Sequence, residues 1–474
     1  MTAADILVPE YGSPSRKSTI IVAGFNLVAS IMGGGVLSIP FAYSKTGIVL
    51  GSLLMCVAAI TTERAMYLLC LCSRITGAKT FGEVGEAAFG KNMEYFISCI
   101  LCVFLNFAII GYMVLAKDIW TSVIMVIGNM ETPLNDELVL GAIIILIVPL
   151  LVQKSLHALR FSCYVGVFSV STLCLALVRH AWAAPAWSEI MWWSTNMEDI
   201  LVAFPIISLS FLGIFNVLPI QNALVEPSRP RITLVLDGAI STVFTMQIIF
   251  GLAGYLYAGM ETDGNILKNC ETAGDFNLLL GKLGCGIMVV LAIPMMMLPC
   301  RECLLEVVDV LVNGAHVTPV EVEESEKLPL ILSDVEKNEK NYQATSTASN
   351  NEEDSQQSEE ADKEMVYACP KRCRTMNVLD NIFIHYASTF FIFATCYMVA
   401  IRVPGVAVVW AILGCSMGYF VAFILPCVCY LKIQKKYPTH ALKNNSWVWF
   451  ARILLVTSIV ATIVCTAETL KDIL

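Results

Sequence analysis

The sequence predicts an all-α integral membrane protein of about 11 transmembrane helices, in which spans 1–5 and 6–10 form an inverted repeat and one further helix is added. Three observations lead there. Of 474 residues, 57% are hydrophobic and only 15% charged, whereas soluble domains carry about 25% charged residues. The apolar residues gather into runs of about 20, the length a helix needs to cross a bilayer core. Two of these runs, five spans apart, carry helix-breaking residues near their centres.

In chain order the runs fall at residues 20–42, 47–73, 94–120, 138–153, 158–178, 199–222, 234–259, 280–303, 380–401, 406–431 and 449–468. They lack the strict alternation of a β-barrel. Residues 1–19 form a polar tail expected in the cytosol, with no cleavable signal peptide. Residues 20–312 hold spans 1–8 and residues 379–474 hold spans 9–11. The stretch between them, 313–378, is rich in Glu and Asp and poor in aromatics, so a disordered acidic cytosolic loop is expected. It reads either as a regulatory segment or as a tolerated insertion; Cys369 and Cys373 in it are palmitoylation candidates.

Orientation follows from Lys and Arg, which concentrate in cytosolic loops. A cytosolic N-terminus puts Arg16, Arg74, Lys79, Arg229, Arg231 and Lys436 inside and leaves Lys45, Arg179, Lys268, Lys282, Arg402 and Lys471 outside. The odd span count then makes the C-terminus extracytoplasmic. A net charge of -9 argues against nucleic acid as a partner. The sequence shows no metal-ligand cluster, phosphate loop or nucleophile motif, so neither a cofactor nor an enzyme activity is expected. The 18 cysteines lie mostly inside apolar runs, where Cys behaves as a small buried hydrophobe.

The breaks carry the chemistry. Span 1 has Gly33, Gly34 and Gly35 in succession, and each Gly weakens a helix by about 1 kcal/mol relative to Ala. Span 6 has Pro205, Gly213 and Pro219. Unwound backbone at membrane depth is tolerated only inside protein or against a cavity. Half-helix N-termini offer N–H groups to an anion, and freed carbonyls suit a cation. A zwitterionic α-amino acid supplies both charges. The carboxylate is expected on the N–H groups around Gly34, Gly35 and Val36, and the amine on carbonyls around Ser30, Ile31 and Met32 and around Ser210, Phe211 and Leu212, with Gly33 and Gly213 at the breaks and Asn216 beside the second.

Around these breaks, Asn26 to Pro40, Gly111 to Asp118, Val217 to Ile220, Gly254 to Gly259, Gly264 to Leu267, Ile293 to Arg301 and Phe423 to Cys427 follow one another in a pattern that resembles the amino acid/auxin permease family, within the amino acid, polyamine and organocation superfamily. The resemblance implies a leucine-transporter-type fold, amino acid transport driven by protons or sodium, and a pocket lined in part by Asn106 and Tyr112 of span 3. For these two, interhelical bonding and packing are the plainer alternatives.

Two departures matter. Sodium-coupled relatives carry Asn where this chain has Ala29 and a Thr near Val290–Ala292, so oxygens a hard cation prefers are gone. Many relatives carry Cys-His where this chain has Gly213-Ile214, which removes a titratable group and leaves a more apolar pocket. The resulting expectation is a secondary active transporter of neutral amino acids working by alternating access, with a proton favoured over sodium as coupling ion, or facilitative. It would sit in the plasma membrane or a vacuolar or lysosomal membrane. A sodium-coupled transporter of the same family and a non-transporting amino acid sensor are the alternatives. Glu63 and Arg64 interrupt span 2; either they join a proton path or span 2 ends near Arg64. Lys117 and Asp118 read as an interfacial pair.

Overall fold

A computed structural model describes residues 16–128, 135–151, 160–183, 190–270, 275–313, 382–437 and 445–473. The chain divides into a unit of residues 308–385 with Met1 and a second unit of Thr2–Val307 with Tyr386–Leu474, and nearly all described residues belong to the second. The acidic stretch lies outside the described residues, apart from Asn313, which ends a helix.

The apolar runs become helices. Span 1 is α1 (Ile20–Ile31), a 3₁₀ turn (Gly34–Ser38) and α2 (Ile39–Thr46); then come α3 (Ile48–Thr76), α4 (Phe81–Phe89), α5 (Lys91–Gly128), α6 (Asp136–Leu151) and α7 (Arg160–Ala183). Span 6 is α8 (Met197–Ser210) with α9 (Ile214–Ala223), followed by α10 (Arg229–Ala258), the short α11 (Ile266–Asn269) and α12 (Phe276–Asn313). After the acidic stretch come α13 (Ile382–Ala400), α14 (Val406–Leu413), two π-helical turns (Gly414–Gly418 and Phe420–Ile424), α15 (Leu425–Lys436) and α16 (Asn445–Ile473). Among the described residues, eight helices are long and apolar enough to cross a membrane, or up to nine with α1 and α2 taken as one bent span. The shorter α6 and α13 occupy the places expected for spans 4 and 9.

Local chemistry sets several ends. Thr80 caps α4 by accepting from the Glu83 amide at 3.2 Å, while the Glu83 carboxylate accepts from the Lys79 amide at 2.6 Å. Gly77 ends α3 in the left-handed region, φ 75°. Burial divides each helix by solvent: Tyr43, Tyr255, Phe211, Phe250 and Leu27 are fully enclosed. Ile453, Val456, Val460 and Ile463 of α16 form an exposed apolar stripe at helical spacing, a face suited to lipid.

Two expectations need correction. Span 2 does not end near Arg64: α3 runs unbroken to Thr76, because no Gly or Pro interrupts its second half and the buried Glu63 is ion-paired to Arg64 at 2.8 Å. Asp118 pairs with Lys268 at 3.2 Å, not with Lys117, since α5 continues past both to Gly128. Lys282, counted on the outer side, lies in the early turns of α12, 1% exposed, with its ammonium donating to the Ser122 hydroxyl at 2.6 Å.

The two ends of the bundle differ electrically. At one end several cations bond carbonyls, Arg16 donating to Gln221, Asn222 and Leu224, Arg74 to Pro227 and Lys436 to Ala87, while Arg231 pairs with Glu226 at 3.1 Å. There Ser18 and Leu224 also form a short parallel bridge. At the other end cations meet carboxylates: Lys45 with Asp199, Lys471 with Glu198, and Arg179 with Asp275.

Asp275 also caps α12, accepting from the amides of Asn277 at 2.9 Å and Leu278 at 3.2 Å, and bonds His180 of α7 at 2.6 Å. Partial burial pushes its carboxyl upward, but the His180 bond, the two amides and the Arg179 charge outweigh it and hold the carboxyl below its usual range. Its contribution to stability is therefore complete above the unfolded aspartate value of about 3.9 and is lost as pH falls through the lower folded value. Thermal melting of the purified protein should show Asp275→Asn below wild type at pH 7 and no less so at pH 5, the gap closing only in stronger acid. A gap already closed at pH 5 would contradict this assignment.

Candidate substrate site at two apposed helix breaks

Both predicted breaks are present. Span 1 bends by 50° between Ile20–Ile31 and Gly34–Thr46. The Gly33 amide turns back to the Ile31 carbonyl at 2.7 Å, which ends α1, and the chain restarts as the 3₁₀ turn. In span 6, α8 stops at Ser210 and α9 begins at Ile214, with Pro205 inside the first half and Pro219 inside the second.

The breaks lie against each other. A Cβ on Gly213 would collide with the Ile31 side chain, and one on Gly35 would sit 3.4 Å from the Ser210 Cα. At Gly213 the missing side chain makes room for Ile31, while at Gly35 the Ser210 main chain stands at ordinary contact distance. The third wall is α5 with α14: the Gly34 amide donates to the Tyr112 hydroxyl at 3.3 Å, and Tyr112 meets Trp410 edge to face with centroids 5.8 Å apart. A Cβ on Gly33 would lie 2.6 Å from the Tyr112 hydroxyl, and one on Gly111 would lie 2.5 Å from the Trp410 ring.

A residue outside the expected set holds the span 6 break. Gln247 of α10 is 0% exposed; its Nε2 donates to the Ser210 carbonyl at 2.8 Å, and its Oε1 lies 2.9 Å from the Ser210 hydroxyl, which also reaches the Ile207 carbonyl at 2.7 Å. The cost of a lone amide in Met246-Gln247-Ile248 was the available signal, because polar groups at membrane depth are kept where they have partners.

The structure brings Ile31, Met32, Gly33, Gly34, Gly35, Val36, Ser210, Phe211, Leu212 and Gly213 to one crossing, with Tyr112 beside them. Ser30 turns its hydroxyl to the Leu27 carbonyl at 2.8 Å on its own helix. Asn216 is exposed, on the first turn of α9. Asn106 is engaged elsewhere: its amide nitrogen donates to the Cys102 carbonyl at 2.8 Å and the Cys300 sulfur at 3.3 Å, and its oxygen accepts from Cys396 at 3.4 Å.

The model of the family described as "Transmembrane amino acid transporter protein" matches residues 16–471. The chain belongs to that family. Vacuolar amino acid transporter 7 of Saccharomyces cerevisiae is 28% identical over 300 residues, covering 60% of this chain and 58% of the yeast protein. Solute carrier family 38 member 10 of Homo sapiens is 22% identical over 461 residues, 94% of this chain but 35% of the human protein. Among solved structures, a Na+-coupled sialic acid symporter aligns over 98% of this chain and 95% of its own, at 10% identity and a TM-score of 0.49. The family is one of transporters, not of enzymes.

Proposed function

We propose that this chain moves neutral α-amino acids across a membrane by alternating access, either coupled to a proton or without a coupling ion. The observation that carries the reading is the apposition of the two breaks, with Gly35 against Ser210 and Gly213 against Ile31. The carboxylate would take the N–H groups that open the 3₁₀ turn, Gly34 and Gly35 foremost, exchanging the Gly34–Tyr112 bond for one of its own and competing at Val36 with the Gly33 carbonyl 3.4 Å away. The amine would take the carbonyls at the facing ends, Phe211 and Leu212 foremost, because the Ser210 carbonyl is already bonded by Gln247. Buried Phe211, Ile214 and Met32 suit a neutral side chain.

A proton, or no ion, is favoured over sodium. Ala29, Val290 and Ala292 supply no side-chain oxygen. A cytosolic N-terminus agrees with the end at which Arg16, Arg74 and Lys436 bond carbonyls.

The test is reconstitution into proteoliposomes, with a panel of labelled amino acids and proton and sodium gradients imposed separately. Neutral amino acids should cross, indifferent to sodium, and accumulate uphill only if the proton gradient is coupled. Sodium-driven accumulation would overturn the coupling assignment. Stabilisation by an amino acid with no flux would make the chain a sensor instead.

A further inference from the structure

At the end of the bundle opposite the Ser18–Leu224 bridge lies a cavity of about 470 Å³ that shares no residue with the two breaks. Lys45 on its wall is ten residues beyond Gly35, about 15 Å or more along the helix. The volume falls in the roughly 300–1,000 Å³ range of small-molecule sites.

Three charges line it. Lys45 and Asp199 face each other at 2.9 Å, and Glu261 adds a second carboxylate. Asp199 is further aimed by Asn196, whose Nδ2 donates to it at 2.8 Å. The Lys45 ammonium sits 5.8 Å from the centre of the Phe41 ring, and Trp193 closes the apolar side.

The wall is held by main-chain bonds. The Ile48 and Val49 amides donate to the Met191 and Trp192 carbonyls at 3.1 and 3.0 Å, the Ser194 amide to the Thr46 carbonyl at 3.0 Å, and the Met191 amide to the Tyr255 hydroxyl at 2.8 Å. Gly47, at φ 79°, lets the turn approach this loop; a Cβ there would lie 2.8 Å from the Trp192 carbonyl carbon. The cavity is thus shaped in advance, which lowers the cost of binding.

We propose that this cavity is a second, peripheral binding site for a zwitterionic amino acid, with Lys45 on its carboxylate and Asp199 on its amine. The Lys45–Asp199 pair is partly exposed, 39% and 30%, and ion pairs in such settings are too weak to hold a cavity shut. A zwitterion that parts the two side chains replaces one ion pair with two of opposite sense. Glu261 reinforces the amine end, and Phe41 and Trp193 accept an uncharged side chain. The site rests on the amino acid transport reading above but is separable from it.

The test uses the full chain in proteoliposomes with Thr195→Cys as a reporter on the cavity wall. Its alkylation by a membrane-impermeant thiol reagent is followed by mass spectrometry of the peptide, and flux of L-alanine, L-leucine, L-glutamine and L-tyrosine is measured on the same vesicles. A transported amino acid should slow labelling at least threefold, and Lys45→Gln or Asp199→Asn should abolish that protection. Protection that survives both substitutions would overturn the proposal, as would its absence for every amino acid that is transported. Absence of flux for all four, with Lys45-dependent protection intact, would sink the transport reading and leave this site standing.

Discussion

Gln247→Leu should lower amino acid flux by about tenfold or more and lower the melting temperature of the purified protein. Leucine keeps the volume but leaves the Ser210 carbonyl without its 2.8 Å donor and removes the acceptor at 2.9 Å from the Ser210 hydroxyl. An unsatisfied buried polar group costs about 1–3 kcal/mol. Ser210 is 2% exposed, so water cannot replace the amide. The end of α8 would then have to shift, carrying Phe211 and Leu212 with it. Gln247→Glu separates this from a general packing defect. Its carboxylate can accept from the hydroxyl, and its protonated form can also donate to the carbonyl. Relative to wild type at each pH, its flux should exceed that of the leucine variant and recover as pH is lowered. Equal activity of the leucine variant and wild type would remove Gln247 from the site.

Gly33→Ala should cost a comparable amount, and for a steric reason that a second substitution can undo. Gly33 sits at φ -103° and ψ -157°, extended backbone that alanine adopts freely, so the loss would not come from strain. It would come from the Tyr112 hydroxyl, 2.6 Å from the added Cβ. Overpacking of this kind costs about 1–3 kcal/mol, or about 5- to 150-fold in an equilibrium. Removing that oxygen leaves the ring carbon behind it, 3.9 Å from the same Cβ, at ordinary contact distance. Gly33→Ala combined with Tyr112→Phe should therefore transport better than Gly33→Ala alone, although Tyr112→Phe by itself loses the Gly34 bond. If the double variant is as impaired as the sum of the two singles, the contact does not control the site.

The breaks were legible because composition alone announces them. Three successive glycines and a Gly between two prolines cannot make good helix at membrane depth, and the structure interrupts the chain at both. What surrounds them was less legible. Tyr112 could be placed near the pocket from the resemblance, but nothing local distinguishes it from Asn106, which the fold turns to the thiols of Cys300 and Cys396 on α12 and α13. Gln247 is distant in sequence from Ser210, and Trp410 from Gly34 and Gly111, so only the folded chain pairs them. Glu63 and Arg64 left two readings open in the sequence, a proton path or the end of span 2, and the fold runs α3 through both with the two charges paired.

The fastenings between half-helices limit how the molecule can move. Arg16 and the Ser18–Leu224 bridge lace the start of span 1 to the far end of α9, while Gln247 rivets the end of α8 to α10. Swinging one half-helix alone about its break would tear these joints. The joints thus make two pairs, α1 with α9 and α8 with α10, whereas at Tyr112, Leu115 and Trp410 the glycine break of span 1 is met by side chains and the Gly34–Tyr112 bond.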